Sequence, residues 1–182
     1  MKKVLILAGS LREGSFNKLL AKGVKENFSD IFNFEIFSNF EKIPHYNADD
    51  QQKDGFPDII NQLGKKIRDS HGVLVVTPEY NYSIPGYLKN TLDWLSRLKE
   101  NPFSGKPLCI QSASLGPLGG ARVQYHLRQV LVFLDAKVMN KPEIFVTFAA
   151  SKFDEKTGKI NDETTLNFIK NQMIAFDKFI DW

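Results

Sequence analysis

Three short segments hold the residues best suited to chemistry. The first, Gly9-Ser10-Leu11-Arg12-Glu13-Gly14-Ser15-Phe16-Asn17, leaves an apolar run and enters a helical pattern. It offers hydroxyls at Ser10 and Ser15, a carboxamide at Asn17, a guanidinium at Arg12 and backbone N–H groups at a helix start. Those are the parts of a phosphate site. Two familiar phosphate patterns fail here. Gly9 and Gly14 have the spacing of a nucleotide P-loop, but Ser15-Phe16 stand where Lys-Ser/Thr is required, and Leu11 stands where a dinucleotide fingerprint needs glycine. The plainer reading is that Ser15 only caps a helix and Arg12 is solvated. The second segment, Thr77-Pro78-Glu79-Tyr80-Asn81-Tyr82-Ser83-Ile84-Pro85-Gly86, presents rings and backbone groups between two prolines. It suits a flat heteroaromatic with imide-like edges, or else is an ordinary strand-to-helix loop with Ser83 as cap. The third, Ser112-Ala113-Ser114-Leu115-Gly116-Pro117-Leu118-Gly119-Gly120, puts glycines where backbone can approach a ligand closely at a helix start, unless they serve only a tight turn.

Each segment follows an unbroken apolar run, the mark of a central parallel strand buried on both faces. The runs are Val4-Leu5-Ile6-Leu7-Ala8, Val73-Leu74-Val75-Val76 and Leu108-Cys109-Ile110, with Phe34-Glu35-Ile36-Phe37 nearer an edge. Ala136–Met139 and residues 144–148 compete for the fifth strand. Helical spacing links Phe16, Leu20, Val24 and Phe28, then Ile60, Leu63 and Ile67, then Ile84, Leu88, Leu92 and Leu95. Val123, Leu127, Val130, Leu131 and Leu134 form another face, and Leu166, Ile169, Met173, Phe176 and Ile180 close the chain. Pro85 fits a helix's first turn, and His71-Gly72 reads as a helix stop. Alternating strands and helices imply an α/β fold with a parallel sheet and helices on both faces, with ligands outside the carboxyl ends of the strands. Residues 38–56 and 150–162 read as long irregular covers.

The chain has 182 residues, 42% hydrophobic and 25% charged, enough for one domain spanning 1–182 with a sizeable core. Fifteen phenylalanines argue against disorder. The apolar runs stop short of the roughly 18 residues of a membrane span. Met1-Lys2-Lys3 and the run after it imitate a signal peptide, but Arg12 and Glu13 arrive too early, so the expected location is cytoplasmic. A net charge of +3 is too weak a bias for nucleic acid. Cys109 reads as a buried small hydrophobe, and His45, His71 and His126 lack metal-ligand spacing.

At these segments the sequence resembles the NADPH-dependent FMN reductase family, flavodoxin-like proteins that include quinone-, chromate- and azo-reducing enzymes. The matching stretches are residues 9–17, 77–94 and 119–128, within a match from Val4 to about Phe153. The resemblance implies a three-layer α/β/α sandwich around a five-stranded parallel sheet in flavodoxin order. It implies FMN as cofactor and NADPH or NADH as hydride donor. Ser10, Arg12, Ser15, Phe16 and Asn17 would hold the phosphate. Pro78, Glu79, Tyr80 and Asn81 would lie along the isoalloxazine, and Ser114, Gly116, Gly119 and Gly120 would contact its pyrimidine end or ribityl chain. Pro44, Tyr46 and Asn47 match a family loop near the flavin, with His45 a less typical neighbour. FMN carries about −2 charge, so one arginine leaves backbone and hydroxyl donors to do the remainder. The chemistry belongs to the flavin, so no protein acid, base or nucleophile is named as catalytic. A carboxylate at Glu79 opposes charge on the reduced flavin, and its backbone is expected to matter more than its side chain.

The implied function is an FMN-dependent NAD(P)H oxidoreductase reducing diffusible acceptors such as quinones, chromate, azo compounds or flavins. A flavodoxin-type electron carrier without NAD(P)H turnover is the alternative; such carriers are typically acidic, which the +3 charge opposes. A homodimer or dimer of dimers is expected, with Tyr87, Thr91 and Trp94 on an outward helix flank unless Trp94 is simply core, and with Asp93 and Arg97 placed to pair within the helix or across the boundary.

Overall fold

The architecture is that of a computed structural model, which describes residues 1–154 and 156–182. β1 (Lys2–Ala8) divides its side chains between two cores. Val4, Ile6 and Ala8 pack with α1 (Phe16–Asn27) and α6 (Glu163–Ile180), whereas Leu5 and Leu7 pack with α3 (Asp58–Asp69), α4 (Gly86–Ser96) and α5 (Ala121–Phe133). Because both faces are covered, the strand is apolar at every inner position rather than at alternate ones.

β1 lies between β2 (Phe32–Phe37) and β3 (Gly72–Val76), and β3 pairs in turn with β4 (Pro107–Ala113), all parallel. The order β2-β1-β3-β4-β5 is the flavodoxin-like one expected. Both candidates for the fifth strand are strands. β5 (Lys137–Val138) pairs with Pro107 and Leu108, and β6 (Ile144–Val146) pairs with Gln111, Ser112 and Ala113. The edge is broken between them, where Pro142 has no N–H to give. Arg128 bridges the break, donating to the Met139 carbonyl and the Asn140 side chain at 3.2 Å each, while the Gln172 carboxamide donates to the Pro142 carbonyl at 2.8 Å.

Two irregular stretches gain structure. Residues 38–56 contain a 3₁₀ turn, Phe40–Lys42, which seats Phe40 in the core, and α2 (Ala48–Asp54), capped by Asn47 accepting from Asp49 N–H at 3.0 Å. α2 buries no residue, so no apolar period marks it. Within residues 150–162, Phe153 and Ile160 form an antiparallel bridge, and Glu155 lies outside the described residues. The expected stop at His71-Gly72 moves forward. α3 is capped by Ser70, and Gly72 opens β3, where a Cβ would meet the Phe176 ring at 2.8 Å. Among the described residues no helix is long and apolar enough to cross a membrane, and no cluster of His, Cys, Asp or Glu could hold a metal.

Candidate active site

β1 and β3 are where the strand order turns, and the crevice at their carboxyl ends is where such sheets take ligands. The first segment begins there. Gly9 N–H donates to the Val76 carbonyl at 2.8 Å, tying it to β3. Ser15 then caps α1, its hydroxyl accepting from Asn17 N–H at 3.2 Å. Ser10 and Ser15 are buried, whereas Arg12 is exposed and makes no ion pair among the described residues. A second cation, Lys18, reaches back to the Leu11 carbonyl at 3.1 Å.

Asn17 has a different task from the one expected of its side chain. The carboxamide makes a reciprocal pair with Ala113 of β4, donating to its carbonyl and accepting from its N–H, both at 2.9 Å. It is a strut that sets the spacing between the first and third segments. Tyr87 is a second anchor. Its hydroxyl donates to the Gly9 carbonyl at 3.0 Å, and its ring meets Tyr80 edge-on at 6.1 Å. Burial, with the neighbouring Tyr80 hydroxyl, pushes its pKa far up, so Tyr87 remains a donor at any physiological pH.

The second segment closes on itself as a tight turn, Tyr80 N–H to the Ser83 carbonyl at 3.0 Å and Ser83 N–H to the Tyr80 carbonyl at 2.9 Å. Asn81 and Tyr82 at its apex have φ of 49° and 67°. That left-handed geometry strains a tyrosine and persists only where surroundings enforce it. Here α5 enforces it. Arg122 stacks its guanidinium on the Tyr82 ring at 4.0 Å, and Ser83 hydrogen-bonds His126 Nδ1 at 2.8 Å. Ser83 is therefore not the cap of α4, whose N-terminus starts at Pro85. Glu79 supplies the third tie. Its Oε2 accepts the Val123 N–H of α5 at 3.0 Å, and its Oε1 lies 3.8 Å from Arg122. The backbone of Glu79 is the part expected to matter more; its carboxylate has a structural task as well, capping a helix.

That helix needs it. Gly120, at the N-cap position, has no side chain to offer. Gly119 and Gly120 are dictated by packing and by φ of 59° and 83°: a Cβ would meet Phe145 backbone at 2.7 Å and Ser112 Cβ at 2.7 Å respectively. Gly116 has nothing within 4 Å. The third segment is laced to the end of β6 and the turn after it, Ser114 N–H to the Val146 carbonyl at 3.0 Å and Ala149 N–H to the Ser114 carbonyl at 2.9 Å.

One cleft of about 280 Å³ brings together Ser10, Arg12, Ser15, Phe16, Asn17, Pro78, Glu79, Tyr80 and Ser114, with Ala113 and Leu115. Asn81, Gly116, Gly119 and Gly120 lie outside its lining. Pro44 is also elsewhere. Its carbonyl accepts from Asn90 and from the Trp94 indole, both at 2.9 Å, and with His45 it lines a separate cavity beside Trp94. Trp94 itself corrects an expectation. It is 2% exposed, with Thr91 fully buried, so neither stands on an outward flank. The indole fills the space under the 44–46 loop, edge-on to Tyr46 at 5.0 Å. Asp93 pairs with Lys89, not Arg97, at 2.7 Å. Cys109 is buried in β4, and burial pushes its thiol well above the usual range.

The donor set fits FMN: buried hydroxyls, a helix N-terminus and an arginine without an ion pair among the described residues suit the phosphate, and aromatic side chains in the same lining suit the ring. Comparison with known proteins decides the assignment. The profile of the NADPH-dependent FMN reductase family matches residues 2–151. This chain belongs to that family. It is 49% identical over 178 residues to a quinone reductase of Escherichia coli (strain K12), covering 98% of this chain and 95% of that protein. It is 41% identical over 186 residues to an NAD(P)H-dependent FMN reductase of Pseudomonas aeruginosa, with 98% and 95% covered. Among solved structures, the flavoenzyme NAD(P)H:(acceptor) oxidoreductase FerB of Paracoccus denitrificans superposes with a TM-score of 0.90 at 32% identity, covering 100% of this chain and 98% of that one. The chain is thus an FMN-dependent NAD(P)H oxidoreductase of flavodoxin-like fold, and the electron-carrier alternative falls away.

Proposed function

We propose that this family member passes two electrons from NADH or NADPH to diffusible acceptors, with quinones as the favoured class and chromate, azo compounds and free flavins also within reach. The observation that supports this most is the composition of the cleft: its lining combines the buried hydroxyls of Ser10 and Ser15 with exposed Tyr80 and Leu115, apolar surface on which a planar acceptor can stack. When bound, FMN supplies the redox chemistry, taking hydride from the nicotinamide and passing electrons onward. Ser10, Arg12, Ser15 and Phe16 are the residues we assign to its phosphate, with Asn17 holding their segment at the right distance from β4. Pro78, Glu79 and Tyr80 are the wall we assign to the ring and Ser114 the edge opposite, with Asn81 and Gly116 following on from them outside the lining; Gly119 and Gly120 shape that edge by packing. Anaerobic NADPH should bleach the FMN-loaded protein, and added benzoquinone should restore its yellow colour. Flavin that stays oxidised under NADPH and NADH, or stays reduced under quinone, overturns the proposal.

We further propose that the protein, one FMN-binding unit over residues 1–182, works in the cytoplasm as a homodimer or dimer of dimers. With Trp94 in the core, support comes instead from exposed Tyr82 and Leu118 in the second and third segments and Tyr125 in α5, apolar side chains of the kind that interfaces cover. The lone buried Cys109 suits a reducing compartment. A fully active 20.7 kDa monomer in light scattering would defeat the assembly.

A further inference from the structure

The Glu79 carboxylate stands in an unusual place for a negative charge. Its side chain is 15% exposed, it lines the cleft, and it occupies the first turn of α5 through Val123 N–H at 3.0 Å. A helix N-terminus carries about +0.5 of an elementary charge and on its own would favour an electron-rich ligand beside it. Glu79 cancels that effect and replaces it with a fixed negative charge in the wall. Arg122, at 3.8 Å, offsets the charge only in part, because its side chain is 44% exposed and screened by water. Serine or aspartate at position 120 is the ordinary way to cap such a helix, but φ of 83° and the close Ser112 exclude both here, so the cap comes from a neighbouring segment and brings a full negative charge with it.

We propose that Glu79 sets the reduction potential of FMN in this protein, holding it lower than the bare helix N-terminus would. The inference rests on the cleft being the FMN site. Hydride transfer moves two electrons and one proton from NAD(P)H, leaves NAD(P)⁺ and adds one negative charge to the cofactor. A quinone then takes both electrons with two protons, one of them from solvent, and leaves as hydroquinone. A fixed anion in the wall disfavours the charged, reduced form and strengthens its drive to give electrons up. For charges several ångströms apart at a partly wetted surface, the effect is about tenfold in the ratio of reduced to oxidised affinities, which corresponds to about 30 mV for a two-electron couple.

Glu79→Gln isolates the charge, because the Gln carbonyl can still accept the Val123 N–H and keep the cap. Potentiometric titration of the FMN-loaded protein should show the midpoint raised by about 30 mV in Glu79→Gln, with a cooperative melt and only a small drop in Tm. Arg122→Gln removes the partial counter-charge and should move the midpoint the opposite way, by less. Opposite signs are what a merely structural role would not produce. FMN retained with an unmoved midpoint in Glu79→Gln, or shifts of the same sign in both variants, overturns the proposal alone. Wild-type protein that holds no FMN overturns the cleft assignment and this proposal with it. If Glu79→Gln fails to fold, Arg122→Gln carries the test: a lowered midpoint supports the proposal and an unmoved or raised one refutes it.

Discussion

Two helices begin at the carboxyl edge of the same sheet and are finished in opposite ways. α1 caps itself with the Ser15 hydroxyl and keeps an exposed arginine three residues upstream. α5 starts on a glycine and takes a carboxylate from another segment, 44 residues away in sequence. A neutral cap leaves the helix dipole and remaining N–H groups able to receive an anion. A carboxylate cap has already received one. On the proposed assignment α1 takes the phosphate, and α5 governs charge elsewhere in the cleft rather than binding it.

The sharpest way to test the contrast is through the glycines. Gly120→Ala forces an L side chain to φ of 83° and drives its Cβ to 2.7 Å from Ser112 Cβ. Backbone strain and overpacking together should cost about 2–4 kcal/mol, lowering Tm by roughly 5–15 °C. Gly14, in the α1 segment, has nothing within 4 Å and no positive φ, so Gly14→Ala should stay within about 0.5 kcal/mol of the parent. Equal melting losses in the two variants would erase the distinction drawn here.

Arg12→Ala tests the other helix. The guanidinium is exposed and uncommitted among the described residues, so stability should not change. Losing a charge-assisted contact to phosphate costs about 1.5–3 kcal/mol, a fall of roughly 10–150-fold in FMN affinity. Fluorescence titration of apoprotein with FMN reads this directly. Undiminished affinity would mean that α1 and its serines hold the phosphate unaided.

What the sequence reveals follows the range of the interactions. Strands buried on both faces announce themselves as unbroken apolar runs, so β1, β3 and β4 are legible, as are helices with one apolar stripe. α2 is not, because it buries nothing and has no period to read. The split edge of β5 and β6 is half legible: two apolar runs compete, and only the pairing of both with different parts of β4 resolves them. In the site, the cleft-lining residues from Ser10 to Phe16 and from Pro78 to Tyr80 are legible as types in a pattern. Their partners are not. Asn17 finds Ala113 across 96 residues and Glu79 finds Val123 across 44, and nothing local distinguishes an Asn that binds a ligand from one that braces a sheet. Trp94 misleads for a related reason. Helical spacing sets it off the sheet-facing stripe, yet the 44–46 loop folds over it and gives the indole N–H the Pro44 carbonyl. A residue pattern reports which faces are apolar, not what comes to cover them.

A third helix start supplies the smallest effect and a control on the carboxylate cap. α6 is capped by its own Asp162, which accepts from Thr165 N–H at 2.8 Å and Thr165 hydroxyl at 2.6 Å and pairs with Lys152 at 2.9 Å. The Thr165 hydroxyl first, then Lys152, lowers its pKa from 3.8 to about 2. A depressed carboxylate pKa stabilises the folded state above the unfolded value, and that contribution is lost as pH falls from about 4 through about 2. Asp162→Asn should therefore weaken the protein modestly at neutral pH and flatten the acid side of its stability curve in that window. Glu79 differs in kind, since its partner N–H lies on a helix belonging to another segment. Urea unfolding of both variants between pH 2 and 7 separates the two carboxylates. Asp162→Asn should change the slope of stability against pH and leave the FMN midpoint alone, whereas Glu79→Gln should move the midpoint. An Asp162→Asn protein with shifted flavin potential would show that charge near the sheet edge acts diffusely, and would dissolve the special standing of the α5 cap.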